Sequence, residues 1–461
     1  MYLRFFRPPF RPPATTIKED ATIDTAPGNQ TSRLLDHGML RAFRHRDFTL
    51  YAFSGLISNI GLWFQRTGVQ WLTWSLTESY AWLGAIAMAE AITVTFCLPL
   101  FGTVVDRANR LHLARISQVI MIALAGVFAT LTILDWISVW ILFGLMMLNG
   151  ISESFWTPIR MSMAPSLVPR DDLSSAIGIG SIFFNVAQFA GPAIAGIIIH
   201  QFAVERVGIG YLFALNGLSF FGYLFVLFKI QLREQDRSKS RHGRFFSDFK
   251  DGLIYLTNKA GLGLFMLWML ASTFILRSYR ELLAGLAGGL FDQGASGFAF
   301  LQSAAGAGAI VGSILVASSS RVTGMTRFLF VAAFLAVAFL LTLSVATHFW
   351  MAVIIVAAMS CVSSYIGIGG QVLVQSAIHG AVRGRVMSLW SVSLRAGPSS
   401  GAWTIGLFTG IWHIQAVLAG AALLYFAVLL AIFRRRQHLA ENMESPPTDE
   451  LPAGLSETSA N

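Results

Sequence analysis

The chain has 461 residues, 55% hydrophobic and only 12% charged, with a mean hydropathy of +0.62. An ordinary soluble domain carries about 25% charged residues, so this composition excludes a globular protein solvated mainly by water. The formal net charge of +9 is better explained by basic residues collecting in loops on one side of a membrane than by a nucleic-acid partner.

Residues 1–46 hold the Pro-rich RPPFRPP and a mixed-charge segment without a continuous apolar core. They read as a cytoplasmic arm, disordered at its start, and not as a cleaved secretory signal. Its end, FRHRDF from Phe43 to Phe48, is expected to form a short basic interfacial helix against anionic headgroups. A membrane helix needs roughly 20 apolar residues, and hydropathy places six spans over 48–75, 82–104, 112–134, 138–159, 173–200 and 209–229. Six more follow over 261–284, 297–318, 327–346, 350–374, 387–411 and 413–433. The expected organisation is an N-terminal bundle at 47–230, a cytoplasmic loop at 231–259, a C-terminal bundle at 260–433 and a disordered cytoplasmic tail at 434–461.

Loop charge alternates along this order. One side has Arg107, Arg110, Arg160, Arg170, the run from Arg233 to Lys259, Arg321, Arg327, Arg383, Arg385 and Arg434 to Arg436. The other has little beyond Glu78, Asp135, Glu205, Arg206 and Asp292. The positive-inside rule then puts both termini and the central loop in the cytoplasm.

Polar residues inside the spans follow helical spacing. Asn59, Trp63, Arg66 and Gln70 share one face of span one; Asn149, Glu153, Trp156 and Arg160 share one face of span four; Ser360, Ser364, Gly367 and Gln371 do so in span ten. A central charge facing lipid costs about 2.5 to 3.5 kcal/mol, so these stripes are expected to face a bundle interior or wet cavity. Span seven, with Trp268, Ser272 and Tyr279, is weaker. The competing reading is that such residues only bind helices together; it weighs equally for Asn59, Asn185, Asn216 and Gln302 and less for Arg66 and Glu153. Glu90 lies at a depth like that of Arg66, which allows an ion pair, and Arg277 with Glu281 has the spacing of a local pair. Burial disfavours a charged carboxylate and an arginine favours it, which makes Glu90 and Glu153 the candidates for proton coupling. The lining read in this way is apolar, aromatic and weakly charged, suited to an amphipathic organic molecule.

The loop GTVVDRANR, Gly102 to Arg110, resembles the signature of the major facilitator superfamily, with Gly102, Asp106, Arg107 and Arg110 matching and Asn109 replacing a glycine. In that signature the glycine closes the helix. The corresponding loop of the second half, SSSRVTGMTR, lacks the aspartate, whereas GPAIAG at Gly191–Pro192 is echoed by GPSSG at Gly397–Pro398. Those Gly-Pro pairs are expected to bend helices that pack across the bundle interface. FRHRDF, PSLVPRDDLSSAIG from Pro165, FFNVAQFAGPAIAG from Phe183 and RGRVMSLW from Arg383 are similar to the bacterial exporter group that includes the enterobactin exporter and macrolide efflux proteins. Gln188 stands where many relatives carry an arginine. The resemblance implies an all-α membrane protein with twelve transmembrane helices in two pseudo-symmetric six-helix bundles, the major facilitator fold, in the cell inner membrane. It also implies a cavity lined by spans one, four, seven and ten, and export of a small molecule by alternating access, with proton antiport as one coupling mode.

The place of this loop, at the cytoplasmic end of span two facing the other half, suggests a cytoplasmic gate at Gly102, Asp106, Arg107 and Arg110, with Arg160 from the end of span four. Asp106 is expected to cap the start of span eleven near Val386 to Leu389, with Arg160 sharing it. The expected cargo is a siderophore or drug-like compound handled by a monomer among membrane lipids, with protons as a further partner. Uptake or uniport of an organic solute is the alternative, and a non-transporting sensor or scaffold the alternative from another class. Catalysis is not expected: the nine histidines are scattered without HExxH, GxSxG or Walker-type stretches. Cys97 and Cys361 sit in apolar runs without paired spacing, so no cofactor or metal is expected.

Overall fold

A computed structural model of the chain describes residues 38, 40–107, 109–232, 245–318, 323–378 and 380–444, with backbone alone at 103, 104, 106, 107, 245–249, 260, 380 and 381. Each predicted span is a long helix: Arg46–Thr77, Tyr80–Arg107, Arg110–Ile133, Val139–Leu167, Leu173–His200 and Glu205–Lys229 in the first half. The second half has Gly261–Leu290, Gly294–Ser318, Met325–Ser344, Phe349–Ala377, Gly380–Phe408 and Ile414–Phe433. By length and composition, ten of these helices are apolar enough to cross a membrane. The other two, spans one and eleven, fall short because they carry the polar residues that the cavity below needs. No strand occurs among the described residues.

The halves pack as a pseudo-two-fold pair. Span two lies along span eleven, and span five along span eight, contacts that exchange when one half is superposed on the other. Lipid offers no hydrophobic drive between helices, so close approach depends on small residues. An added Cβ on Gly84 would strike the backbone of Trp403, one on Gly406 the carbonyl of Tyr80, and one on Gly306 the carbonyl of Gln188 at 2.9 Å. These glycines make the crossing. Gly191 instead rests on Trp63 of span one and Gly397 on Thr273 of span seven. The Gly-Pro pairs at Gly191–Pro192 and Gly397–Pro398 thus set equivalent contacts with the first helix of their own half, and Pro192 and Pro398 lie inside unbroken helices.

Turn chemistry follows the sequence closely on the face opposite the chain ends. Glu78, Asp135 and Asp292 adopt positive φ of 47°, 57° and 49° at the turns after spans one, three and seven. On the face with the chain ends, the Asn109 side chain caps span three by accepting from the amides of Leu111 and His112.

Several expectations need correction. Gly102 does not end span two, which continues helically to Arg107. The tail expected to be disordered contains a helix, Arg436–Glu444, because Leu439 and Met443, four apart, bury one apolar face. Glu444 then accepts from the amides of Gly324 (2.6 Å) and Thr326 (2.9 Å) at the start of span nine. A carboxylate therefore serves the loop of the second half after all, supplied from the C-terminal helix. FRHRDF forms no helix of its own: Phe43 and Arg44 end a 3-10 turn, Arg41–Arg44, and Arg46 to Phe48 already belong to span one. Within the central loop, Phe245–Asn258 is a helix packed on span eleven. The expectations for residues 1–37, 233–244 and 445–461 lie outside the described residues.

Candidate functional site

Two adjoining cavities lie between the halves. The larger, of about 840 Å³, opens toward the face that carries the chain ends and is lined by Tyr51, Asn59, Trp156, Arg160, Ser364 and Gln371 among others. The smaller, of about 280 Å³, sits deeper and is lined by Trp63, Arg66, Gln70, Glu90, Asn149 and Arg395 among others. Arg277, Arg280 and Leu394 line both and stand at the neck where the two adjoin.

Beyond the deep chamber the halves are sealed. Trp71 stacks on Phe298 with ring centroids 6.1 Å apart, Tyr80 donates its hydroxyl to the Gly285 carbonyl at 2.9 Å, and Trp74 lies against Gly288 and Gly289. Bare glycines are needed here because indole rings occupy the space of any side chain.

Two polar networks frame the deep chamber. In the first half, Asn216 donates to Gln65 (2.6 Å), Gln65 to Asn149 (3.0 Å), and Asn149 to Glu90 (2.9 Å), joining spans six, one, four and two. Across the halves, Thr67 donates to Gln302 (2.6 Å), Gln302 to Gln70 (2.8 Å) and Gln70 to Glu281 (2.8 Å). Such chains satisfy groups that would otherwise be costly to bury.

Of the residues placed on the pathway by spacing, Asn59, Trp63, Arg66, Gln70, Asn149, Trp156, Ser364 and Gln371 line one cavity or the other. Glu153 lines neither; its carboxylate accepts from Thr157 on its own helix at 3.1 Å. Arg66 lies over the Trp63 ring, 5.4 Å from its centroid, and does not reach Glu90: the described ion pairs are Arg41 and His45 with Asp172, Arg206 with Asp135, and Arg385 with Asp251. The local pair expected of Arg277 and Glu281 does not form. Ser272–Leu276 is π-helical and Ser278–Leu282 is a 3-10 helix, so a spacing of four no longer keeps two residues on one face. Trp268, Ser272 and Tyr279 point into the second bundle, where Tyr425 bonds Trp268 (3.0 Å) and Ser272 (2.7 Å), and Ser360 bonds Tyr279 (2.7 Å).

The expected gate is only partly visible. The side chains of Asp106 and Arg107 lie outside the described residues. Arg110 donates to Ser166 at 3.4 Å, and Arg160 lines the open cavity. Span eleven starts at Gly380, so Val386 to Leu389 lie within the helix, their stretch packed against Gly252, and offer no free amides to cap.

The weakly charged cavity read from the stripes is also corrected. Spacing missed Arg280, Arg395 and Gln65, and gave Glu281 a local pair where it lines the deep chamber. Arg395 carried the signal that exposed Arg66, a charge within an apolar run; Arg280 and Glu281 depend on the irregular helix of span seven.

The family described as transmembrane secretion effectors matches residues 37–460. The chain is 22% identical over 297 residues to the staphyloferrin A transporter of Staphylococcus aureus, covering 62% of this chain and 71% of that protein. It is 22% identical over 165 residues to macrolide efflux protein A of Enterococcus faecalis, covering 36% and 50%. In fold it is similar to an inward-facing, unoccupied bacterial homolog of the human lysosomal transporter Spinster (TM-score 0.66, 13% identity, covering 87% of this chain and 98% of that one). It is likewise similar to an inward-facing bacterial homologue of the iron transporter ferroportin (TM-score 0.64, 15% identity, covering 84% and 98%).

Proposed function

The chain belongs to the transmembrane secretion effector family of major facilitator transporters, and on that footing we propose that it exports a small amphipathic organic molecule from the cytoplasm by alternating access. The observation that carries this reading is the cavity of about 840 Å³ between the halves, lined from Phe48 and Tyr51 to Ser364 and Gln371, with Trp71 on Phe298 and Tyr80 on Gly285 joining the halves on the opposite side. That volume falls within the roughly 300–1,000 Å³ of drug-sized sites. The open face is the basic one, so the positive-inside rule makes it cytoplasmic, in the inner membrane, with both termini on that side. Relatives named for staphyloferrin A transport and macrolide efflux support organic cargo over a sugar or simple ion.

Comparing culture supernatants and cell extracts of a deletion strain and its parent by mass spectrometry tests this. A compound lost from the medium and accumulated in the cells is the expected result. Identical profiles under iron limitation would remove the siderophore version.

Proton antiport is the proposed coupling, with Glu90 as its carrier. Glu90 lines the deep chamber and is held by Asn149 at 2.9 Å, whereas Glu153 lies off both cavities. In proteoliposomes, Glu90→Gln should abolish transport driven by a proton gradient and spare substrate counterflow. Gradient-driven transport at the parental rate would refute the assignment.

A further inference from the structure

We propose that the paired cavities form a site for an organic anion, so that the cargo carries at least two acidic oxyanion groups on an apolar body. The argument rests on the export reading for direction of movement alone; anion binding stands on the cavity itself.

The lining has an excess of cations. The deep chamber holds Arg66, Arg277, Arg280 and Arg395 against Glu90 and Glu281. The open cavity adds Arg160 and has no aspartate or glutamate among the described residues of its lining. Both glutamates already accept from amides, Glu90 from Asn149 and Glu281 from Gln70. No described ion pair involves any of the five arginines. Arg66 lies over the Trp63 ring and shares the deep chamber with Glu90.

An arginine cluster at membrane depth is costly unless something neutralises it. Here two members, Arg277 and Arg280, line both cavities at the neck. The Gly367 position, where a Cβ would lie 3.4 Å from Arg277 Nη1, leaves room around that guanidinium. Guanidinium groups offer planar forks matched to carboxylates and phosphates, and a cationic cleft with low-dielectric walls concentrates anions. A dianion at the neck would touch Arg277 and Arg280, while its apolar body would lie along Trp156 and Tyr51 in the open cavity. A cationic drug would meet the same field as repulsion.

The test uses purified full-length protein in detergent and three probes of similar size: naphthalene-2,6-dicarboxylate, its neutral dimethyl ester, and a naphthalene carrying two ammonium groups. The dicarboxylate should bind about tenfold more tightly than either of the others, and its advantage should shrink between about 0.05 and 0.5 M salt as the charges are screened. Arg277→Gln and Arg280→Gln should each weaken dicarboxylate binding about tenfold, with Arg206→Gln, on the sealed face, unchanged. Their unliganded melting temperatures should not fall, because each removes one cation from a lining that holds four arginines against two glutamates. If one does fall, Arg277→Lys or Arg280→Lys keeps the charge, loses the fork and should give intermediate affinity.

Ester or diammonium binding as tight as the dicarboxylate, unchanged affinity in the variants, or no saturable dicarboxylate binding would overturn the proposal. Export in everted vesicles separates it from the reading above. Dicarboxylate binding without movement leaves the anion site and removes export. Movement of neutral or cationic compounds, uncompeted by the dicarboxylate, removes the anion site and leaves export.

Discussion

Gln70 of span one donates its side-chain amide to Oε2 of Glu281 in span seven at 2.8 Å, tying the two halves together beneath the aromatic seal. Gln302 of span eight donates to the same Gln70, so one glutamine joins three helices. Rocking the halves open on the sealed face must break these bonds.

Hydrogen bonds to charged groups contribute about 1.5–3 kcal/mol. Glu281→Ala should therefore raise the population open on the sealed face roughly tenfold or more. In a protein with Cys97 and Cys361 replaced and a cysteine at Thr73, a lining residue of the deep chamber, labelling by a membrane-impermeant thiol reagent from that side should accelerate accordingly. Equal labelling would mean that the bond does not hold the seal.

The crossing of spans two and eleven should be intolerant of a single methyl group. Gly84→Ala and Gly406→Ala each push a Cβ into the backbone of the other half, and overpacking costs typically about 1–3 kcal/mol. Both should lower the melting temperature and favour the state open on the sealed face. Gly102→Ala, where a Cβ meets nothing within 4 Å, should change neither.

Glu444 should stabilise the second bundle from the C-terminal helix. Its two bonds to the amides of Gly324 and Thr326 satisfy donors at a helix start, where loss of a cap costs about 0.5–2 kcal/mol. Glu444→Ala should lower the melting temperature in detergent, and Glu444→Gln, which keeps an acceptor but loses the charge favoured by the helix dipole, should lie between. A Glu444→Ala protein as stable as the parent would show the cap to be idle.

The segment before span one should be held down by Asp172, which meets Arg41 at 3.2 Å and His45 at 2.8 Å, while the Ala42 amide donates to Ser175 at 3.2 Å. Asp172→Asn should weaken this docking and expose Arg41, Arg44 and Arg46 to trypsin severalfold faster. Unchanged cleavage kinetics would place the anchoring elsewhere.

Much of the site was legible because helical periodicity and membrane cost act locally. Asn59, Trp63, Arg66 and Gln70 had to share a face, and that face had to avoid lipid. Glu153 satisfied the same rule and yet missed both cavities. It falls between Asn149, which serves the deep chamber, and Trp156, which serves the open one, and it is tied back to Thr157. Spacing fixes a face but not the depth at which a cavity narrows.

The neck was illegible for a different reason. Arg277, Arg280 and Glu281 depend on the π and 3-10 turns of span seven, and the bond from Gln70 to Glu281 joins residues 211 apart in sequence. The partner that supplies a carboxylate to Gly324, Glu444, is equally remote, 120 residues downstream.

By itself the amino-acid sequence determined a helical membrane protein of repeated halves, its basic face and the stripes that avoid lipid, because apolar length, loop charge and helical period are properties of neighbouring residues. Only the tertiary structure decided which face is sealed, which glycines let the halves touch and how many arginines converge on the cavities outside the described ion pairs. Those outcomes depend on distances between helices remote in sequence, and an electrostatic field in a cavity is a sum over all of them.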